Sequence, residues 1–158
     1  YGIIDCELGI DGSGSEFLCM PAGGSLNKAT TDTVNQRMHF VKQNGAVVFK
    51  HAVKGMYDIT KKIMDRNKIT NKNLKLFIPH QANKRIIDAT ISKIKLSDKQ
   101  VLINIDKYAN TTAASIPIAI SEAYQKKLLN KGDNLIMTAF GAGFTWGSCL
   151  INWGINCE

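Results

Sequence analysis

The chain has 158 residues, enough for one domain with a sizeable core, and 44% of them are hydrophobic, which excludes a disordered chain. No apolar run approaches the ~20 residues of a membrane-spanning helix and no basic-then-apolar leader opens it, so the sequence reads as soluble and cytoplasmic. The net charge of +7, from 20 Lys and Arg against 13 Asp and Glu, fits either a lysine-rich solvated surface or a docking face for an acidic partner, whereas the scattered basic residues lack the aromatic interleaving of a nucleic-acid site.

Gly2-Ile3-Ile4-Asp5-Cys6-Glu7-Leu8 enters as a strand with Tyr, not Met, at position 1, so the chain reads as a piece of something longer. Asp11 to Ser15 predicts a turn, and Phe17 to Met20 the second arm of a hairpin. A polar loop begins at Pro21. Val48, Ala52, Met56, Ile59 and Ile63 recur at helical spacing and predict a long amphipathic helix over Gly45 to Arg66. Leu74 to Ile78 predicts a buried strand stopped by Pro79, and a helix follows from about Asn83 to Ile94. Val101 to Ile105 predicts the next strand, and a helix from about Ala113 to Leu129 carries Pro117 in its first turn, where the missing N–H does least harm. Asn134 to Phe140 and Phe144 to Trp153 predict the last two strands, joined by the Gly141-Ala142-Gly143 bend.

From residue 74 onward the order is β-α-β-α-β-β, an α/β pattern that implies right-handed crossovers and a mixed, mostly parallel sheet. His80, Asn110 and the glycine bend then follow parallel strands and share one sheet edge, the edge where sites collect in open α/β sheets. An imidazole and a carboxamide supply two hydrogen-bond donors, and a glycine bend can aim backbone N–H groups at a third point. That set suits stabilisation of negative charge on a carbonyl oxygen, but it contains no nucleophile. Cys6, Cys19, Cys149 and Cys157 show no C-x-x-C or zinc spacing and read as buried, reduced thiols. His39 and His51 lack a ligand-spaced partner, which argues against a metal site.

Three stretches carry a resemblance: His80-Gln81-Ala82-Asn83, Asn110-Thr111-Thr112-Ala113-Ala114-Ser115-Ile116-Pro117, and Phe140-Gly141-Ala142-Gly143-Phe144-Thr145-Trp146-Gly147. Their order and length resemble β-ketoacyl-acyl-carrier-protein synthase III, the initiating condensing enzyme of bacterial fatty acid synthesis. The resemblance runs over essentially the whole chain. It implies a thiolase-like fold, in which residues 1–158 form the C-terminal one of two similar β-α-β-α-β-α-β-β halves.

By that resemblance His80 and Asn110 are two members of a Cys-His-Asn triad, donating hydrogen bonds to a malonyl thioester as it loses CO2. Phe140, Gly141, Ala142 and Gly143 form the oxyanion and acyl pocket. Phe49, Ala82 and Asn83 line the path of CoA and pantetheine, and Lys50, Arg85 and Lys93 face an acidic acyl carrier protein. CoA thioesters and phosphopantetheine are implied as substrate carriers, with no permanent cofactor or metal. Acyl carrier protein, acyl-CoA, the N-terminal half and a second copy of the enzyme are the implied partners. The bend departs from the commoner all-glycine form at Ala142. The nucleophilic cysteine belongs to the other half, so this chain alone is expected to be inactive. A non-catalytic CoA- or carrier-binding half-domain and a polyketide-type ketosynthase are the alternatives.

Overall fold

The computed structural model describes residues 1–156; Cys157 lies outside them. Its elements are β1 (Gly2–Ile10), β2 (Leu18–Cys19), α1 (Thr31–Asn35), β3 (Lys42–Gln43), α2 (Gly45–Arg66), β4 (Leu74–Pro79), α3 (Lys84–Ile94), α4 (Ile105–Tyr108), α5 (Ser115–Gln125), β5 (Asn134–Gly141) and β6 (Thr145–Asn152). The main sheet runs β1-β6-β5-β4. Both β1/β6 and β6/β5 are antiparallel and only β5/β4 is parallel, so the sheet is mixed but not mostly parallel. No described helix is long and apolar enough to cross a membrane.

Alternate residues of the central strands go to opposite cores, as the two-residue strand period requires. Phe77, Ile136 and Leu150 pack under α2 and α3 with Ile63, Met64, Ile87 and Ile91. Leu76, Ile78 and Leu135 pack under α5 with Ala119 and Ala123, whose small side chains allow close approach. α2 occupies the predicted span. Asn44 caps its start by accepting from Val47 N–H at 3.2 Å, and its last residue, Arg66, forks onto Asp5 with two bonds of 2.7 Å while also reaching Glu7 at 2.8 Å. These contacts tie β1 to the helix side of the sheet. Residues directly opposite across a ladder share a face, so Cys6 and its partner Cys149 lie on the other face. There Leu8 is 83% and Ile10 76% exposed.

Beyond the balance of the sheet, the sequence reading needs four corrections. Val101 to Ile105 forms no strand: one bridge joins Val101 to Phe77, Leu102 N–H donates to the Phe77 carbonyl at 3.1 Å, and α4 begins at Ile105. The reason is Gln81, whose amide donates to the Leu102 carbonyl at 3.3 Å and accepts from Asn104 N–H at 3.0 Å, so a side chain satisfies groups that a ladder otherwise would. Phe17 to Met20 does not fold back on β1: Leu18–Cys19 joins Lys42–Gln43 instead, and β1 pairs only with β6, as an edge strand. The region after Pro21 holds the short helix α1, closed by a Thr30/Thr33 capping box. Finally, Cys6 is exposed and Cys19 and Cys149 are half-buried, so these three are not core residues.

Candidate active site

His80 follows β4 directly. Its N–H donates to the Thr138 carbonyl at 2.7 Å, so hydrogen bonding to β5 continues one residue past the strand. Burial pushes the imidazole below the ordinary pKa of 6.5. Nδ1 lies 2.6 Å from Ser115 Oγ, in the first turn of α5, and Nε2 has no hydrogen-bond partner among the described residues. It is not sealed from the cleft that His80 lines.

Asn110 arrives from the irregular segment. Its Oδ1 accepts from Thr112 N–H at 2.9 Å, an Asx turn that commits the oxygen to the backbone and leaves the Nδ2 donor without a partner among the described residues. Behind this loop runs a buried polar chain. Gln81 donates to the Pro79 carbonyl at 2.7 Å as well as gripping Leu102 and Asn104. Asn104 donates to Glu122 Oε2 at 2.9 Å, and Glu122 Oε1 pairs with Lys107 at 2.9 Å and Lys126 at 2.7 Å. The two lysines and the Asn104 amide hold Glu122 down to a pKa of about 2.

Two clefts meet at these loops. One, of about 610 Å³, is bounded by Leu8, Ser115, Ile116, Ala139 and Trp146; the other, of about 890 Å³, by Val48, Phe49, Met56, Ala82, Asn83 and Arg85. Both are lined by His80, Asn110, Thr112, Phe140 and Gly141. An imidazole nitrogen and an amide N–H, both uncommitted, thus face a largely apolar junction, where hydrogen bonds to a developing oxyanion act at reduced dielectric.

Phe140 packs at 5.1 Å from Phe144 and 6.3 Å from Trp146, ring centre to ring centre, which fixes one wall. Of the sequence-selected residues, Phe49, Ala82 and Asn83 lie together along the second cleft, with Asn83 also capping α3 through Arg85 N–H at 2.9 Å. Arg85 borders the same cleft with its guanidinium 5.8 Å from the Phe49 ring centre, while Lys93 sits 5.5 Å from that of Tyr57. Ala142, Gly143, Lys50 and Lys93 line neither cleft. Sequence reasoning did not single out Ser115, Thr112, Gln81 or Leu8 as site residues, although the motif stretches contain the first three.

None of Cys6, Cys19 and Cys149 lines a cleft at this junction. Cys6 and Cys149 instead lie thiol to thiol at 2.9 Å, and burial together with Cys6 pushes Cys149 up to about 12, far from a thiolate at neutral pH.

Residues 64–153 match the family model for the 3-oxoacyl-acyl-carrier-protein synthase III C-terminal region. The chain belongs to this family. It is 46% identical to a β-ketoacyl-acyl-carrier-protein synthase III of Chlorobaculum tepidum over 97% of the chain and 47% of that protein. Against one of Caldanaerobacter subterraneus it is 48% identical, over 97% of the chain and 46% of that protein. The synthase III crystal structure from Thermus thermophilus superimposes with a TM-score of 0.84 at 35% identity, covering 98% of this chain and 47% of that one. The chain therefore spans about half the length of the synthase III relatives it matches, and its fold is thiolase-like.

Proposed function

We propose that this chain is the C-terminal, decarboxylating half of an initiating condensing enzyme of fatty acid synthesis. The observation that carries the reading is the convergence of His80 and Asn110, each with a donor uncommitted to protein, on the junction of the two clefts. A malonyl group held there as its acyl-carrier-protein thioester breaks its bond to CO2. The electron pair moves onto the thioester oxygen, where Nε2–H and Nδ2–H stabilise the enolate, and the enolate carbon then attacks the carbonyl of an acyl-cysteine, forming the new C–C bond as the C–S bond breaks and the cysteine leaves as thiolate. The nucleophilic cysteine, acylated from acyl-CoA, belongs to the N-terminal half. Two features of the described cysteines support that assignment: none lines either cleft, and the Cys149 thiol is raised.

The exposed Leu8, which borders the first cleft, and Ile10, on the same face of β1, suit the packing of that other half. Thioester carriers such as CoA and phosphopantetheine fit the second cleft, whose mouth carries Arg85 beside Phe49, and Arg85 with Lys50 and Lys93 forms the docking face for the acidic carrier protein.

The test is CO2 release from malonyl thioester by the complete protein carrying His80→Ala or Asn110→Ala. Each change is expected to slow release by about 100-fold, as loss of a preorganised donor does; a change smaller than tenfold in both variants overturns the roles. Charge reversal at Lys50 and Lys93, which line neither cleft, is expected to weaken carrier-protein binding while leaving use of acyl-CoA intact. Equal loss of both removes the docking assignment.

A further inference from the structure

We propose that Ser115 is the positioning residue that fixes the protonation of His80, holding the proton on Nε2 and the lone pair on Nδ1. The inference deepens the reading of the site above and rests on it for its catalytic consequence, but the proton assignment itself follows from local hydrogen-bond accounting.

Ser115 is 2% exposed, so its hydroxyl must find its partners inside the protein. A serine hydroxyl has one proton to give and lone pairs to accept with. The backbone N–H of Gln81, 3.3 Å away, has only a proton to offer, so towards it Oγ accepts. The hydroxyl proton then needs an acceptor. Among the described residues the single remaining partner of Oγ is His80 Nδ1, at 2.6 Å. If Nδ1 carried a proton, two N–H groups would point at Oγ while its own proton had no acceptor in a buried place. With Nδ1 unprotonated, every group is satisfied: Gln81 N–H donates to Oγ, Oγ–H donates to Nδ1, and the ring proton resides on Nε2 beside the cleft.

The backbone makes this relay rigid. Gln81 follows His80, and its side chain is bonded to Pro79, Leu102 and Asn104, so the N–H that sets the direction of the Ser115 hydroxyl cannot turn away. Ser115 stands at the start of α5, whose Ala119 and Ala123 are buried against the sheet. Donor and acceptor are therefore held by two different elements meeting at one hydroxyl. The same relay disfavours the imidazolium, because a second ring proton on Nδ1 meets an oxygen already receiving one. His80 is thereby kept as a neutral donor whose Nε2–H is always aimed the same way, which is what preorganisation of an oxyanion site requires.

The experiment uses the complete synthase carrying Ser115→Ala, alone and combined with His80→Ala. In 15N-histidine spectra the His80 resonances, identified by their loss in His80→Gln, are expected to show an unprotonated Nδ1 and protonated Nε2 in the wild type and averaging of the two tautomers in Ser115→Ala. The His80 titration midpoint is expected to rise in the same variant. For malonyl-thioester decarboxylation kcat should fall about tenfold with KM unchanged, and Ser115→Ala should add no further loss in the His80→Ala background. Unchanged nitrogen resonances in Ser115→Ala overturn the proposal, and so does an equal kcat loss in both backgrounds, which marks a merely structural role. If His80→Ala itself leaves decarboxylation intact, the catalytic reading of the site fails, while the nitrogen spectra still decide whether Ser115 holds the tautomer.

Discussion

His80 and Asn110 border the same two clefts but stand on backbones of opposite character. His80 ends a strand whose neighbours on both cores are buried, and its own N–H continues the bonding to β5. Asn110 leaves a segment with one strand bridge, one turn of helix, and a positive φ of 55° at Ala109 just before it. The histidine is placed by main-chain hydrogen bonds and packing. The asparagine is placed by side chains, through Gln81, Asn104 and Glu122. Damage to polar residues far from the clefts should therefore reach the two donors unequally, and three measurements break or sharpen that contrast.

The largest effect is expected from Gln81→Leu. Leucine keeps the volume but leaves Asn104 N–H and the Pro79 and Leu102 carbonyls short of a buried partner, for a loss of about 3 kcal/mol in denaturant unfolding of the complete protein. Hydrogen exchange over residues 102–110 should accelerate more than exchange over residues 76–80. Equal acceleration in the two stretches would show that β4 also depends on this side chain and that the contrast is false.

The same contrast explains what could be read from the chain and what could not. α2 was legible to its ends because its apolar residues hold a helical spacing over several turns and Asn44 supplies a cap. β4 was legible because Leu74 to Ile78 is an apolar run stopped by Pro79, and with it the placement of His80. Val101 to Ile105 has the composition of a strand and is not one. Nothing local distinguishes it, because its geometry is set by Gln81, twenty residues earlier in the chain. β1 pairing with β6 instead of Leu18–Cys19 is likewise a long-range choice, and it reverses the balance of parallel and antiparallel pairs. In the site the residue types His80, Asn110 and Phe140 were legible from their motifs, but Ser115 was not: a serine among alanines at a helix start reads as packing until its hydroxyl is seen 2.6 Å from the ring.

A smaller effect is expected from Glu122→Gln. The amide keeps an oxygen for Asn104 but loses the charge paired with Lys107 and Lys126; both lysines are about half exposed, at 52% and 53%, so solvent screening limits the loss to roughly 1 kcal/mol near neutral pH. The Asn110 loop is supported from this pair, and the variant should raise exchange near Asn104 without disturbing the His80 resonances. A shift at His80 as large as that near Asn104 would merge the two supports into one.

The smallest expected effect separates the two by pH. A carboxyl whose folded pKa is depressed contributes stability that is present above its unfolded value and lost as pH falls through the folded one. For Glu122 the window runs from the ordinary 4.5 down to about 2. His80 is also depressed, by burial, so the unfolded chain takes up a proton first as pH falls below 6.5, and stability declines from there until the folded ring protonates as well. The acid limb of the stability profile should thus have two steps. Replacing His80 with Gln should remove the step that begins near 6.5, and Glu122→Gln should shrink the lower one, to which Asp5, Glu7 and Asp11, held low by Arg66, Lys62 and Ser13, also contribute. Because the two groups stand behind different loops, each substitution should leave the other step in place, and a variant that erases both would show that the strand-borne and side-chain-borne donors unfold as a single cooperative unit.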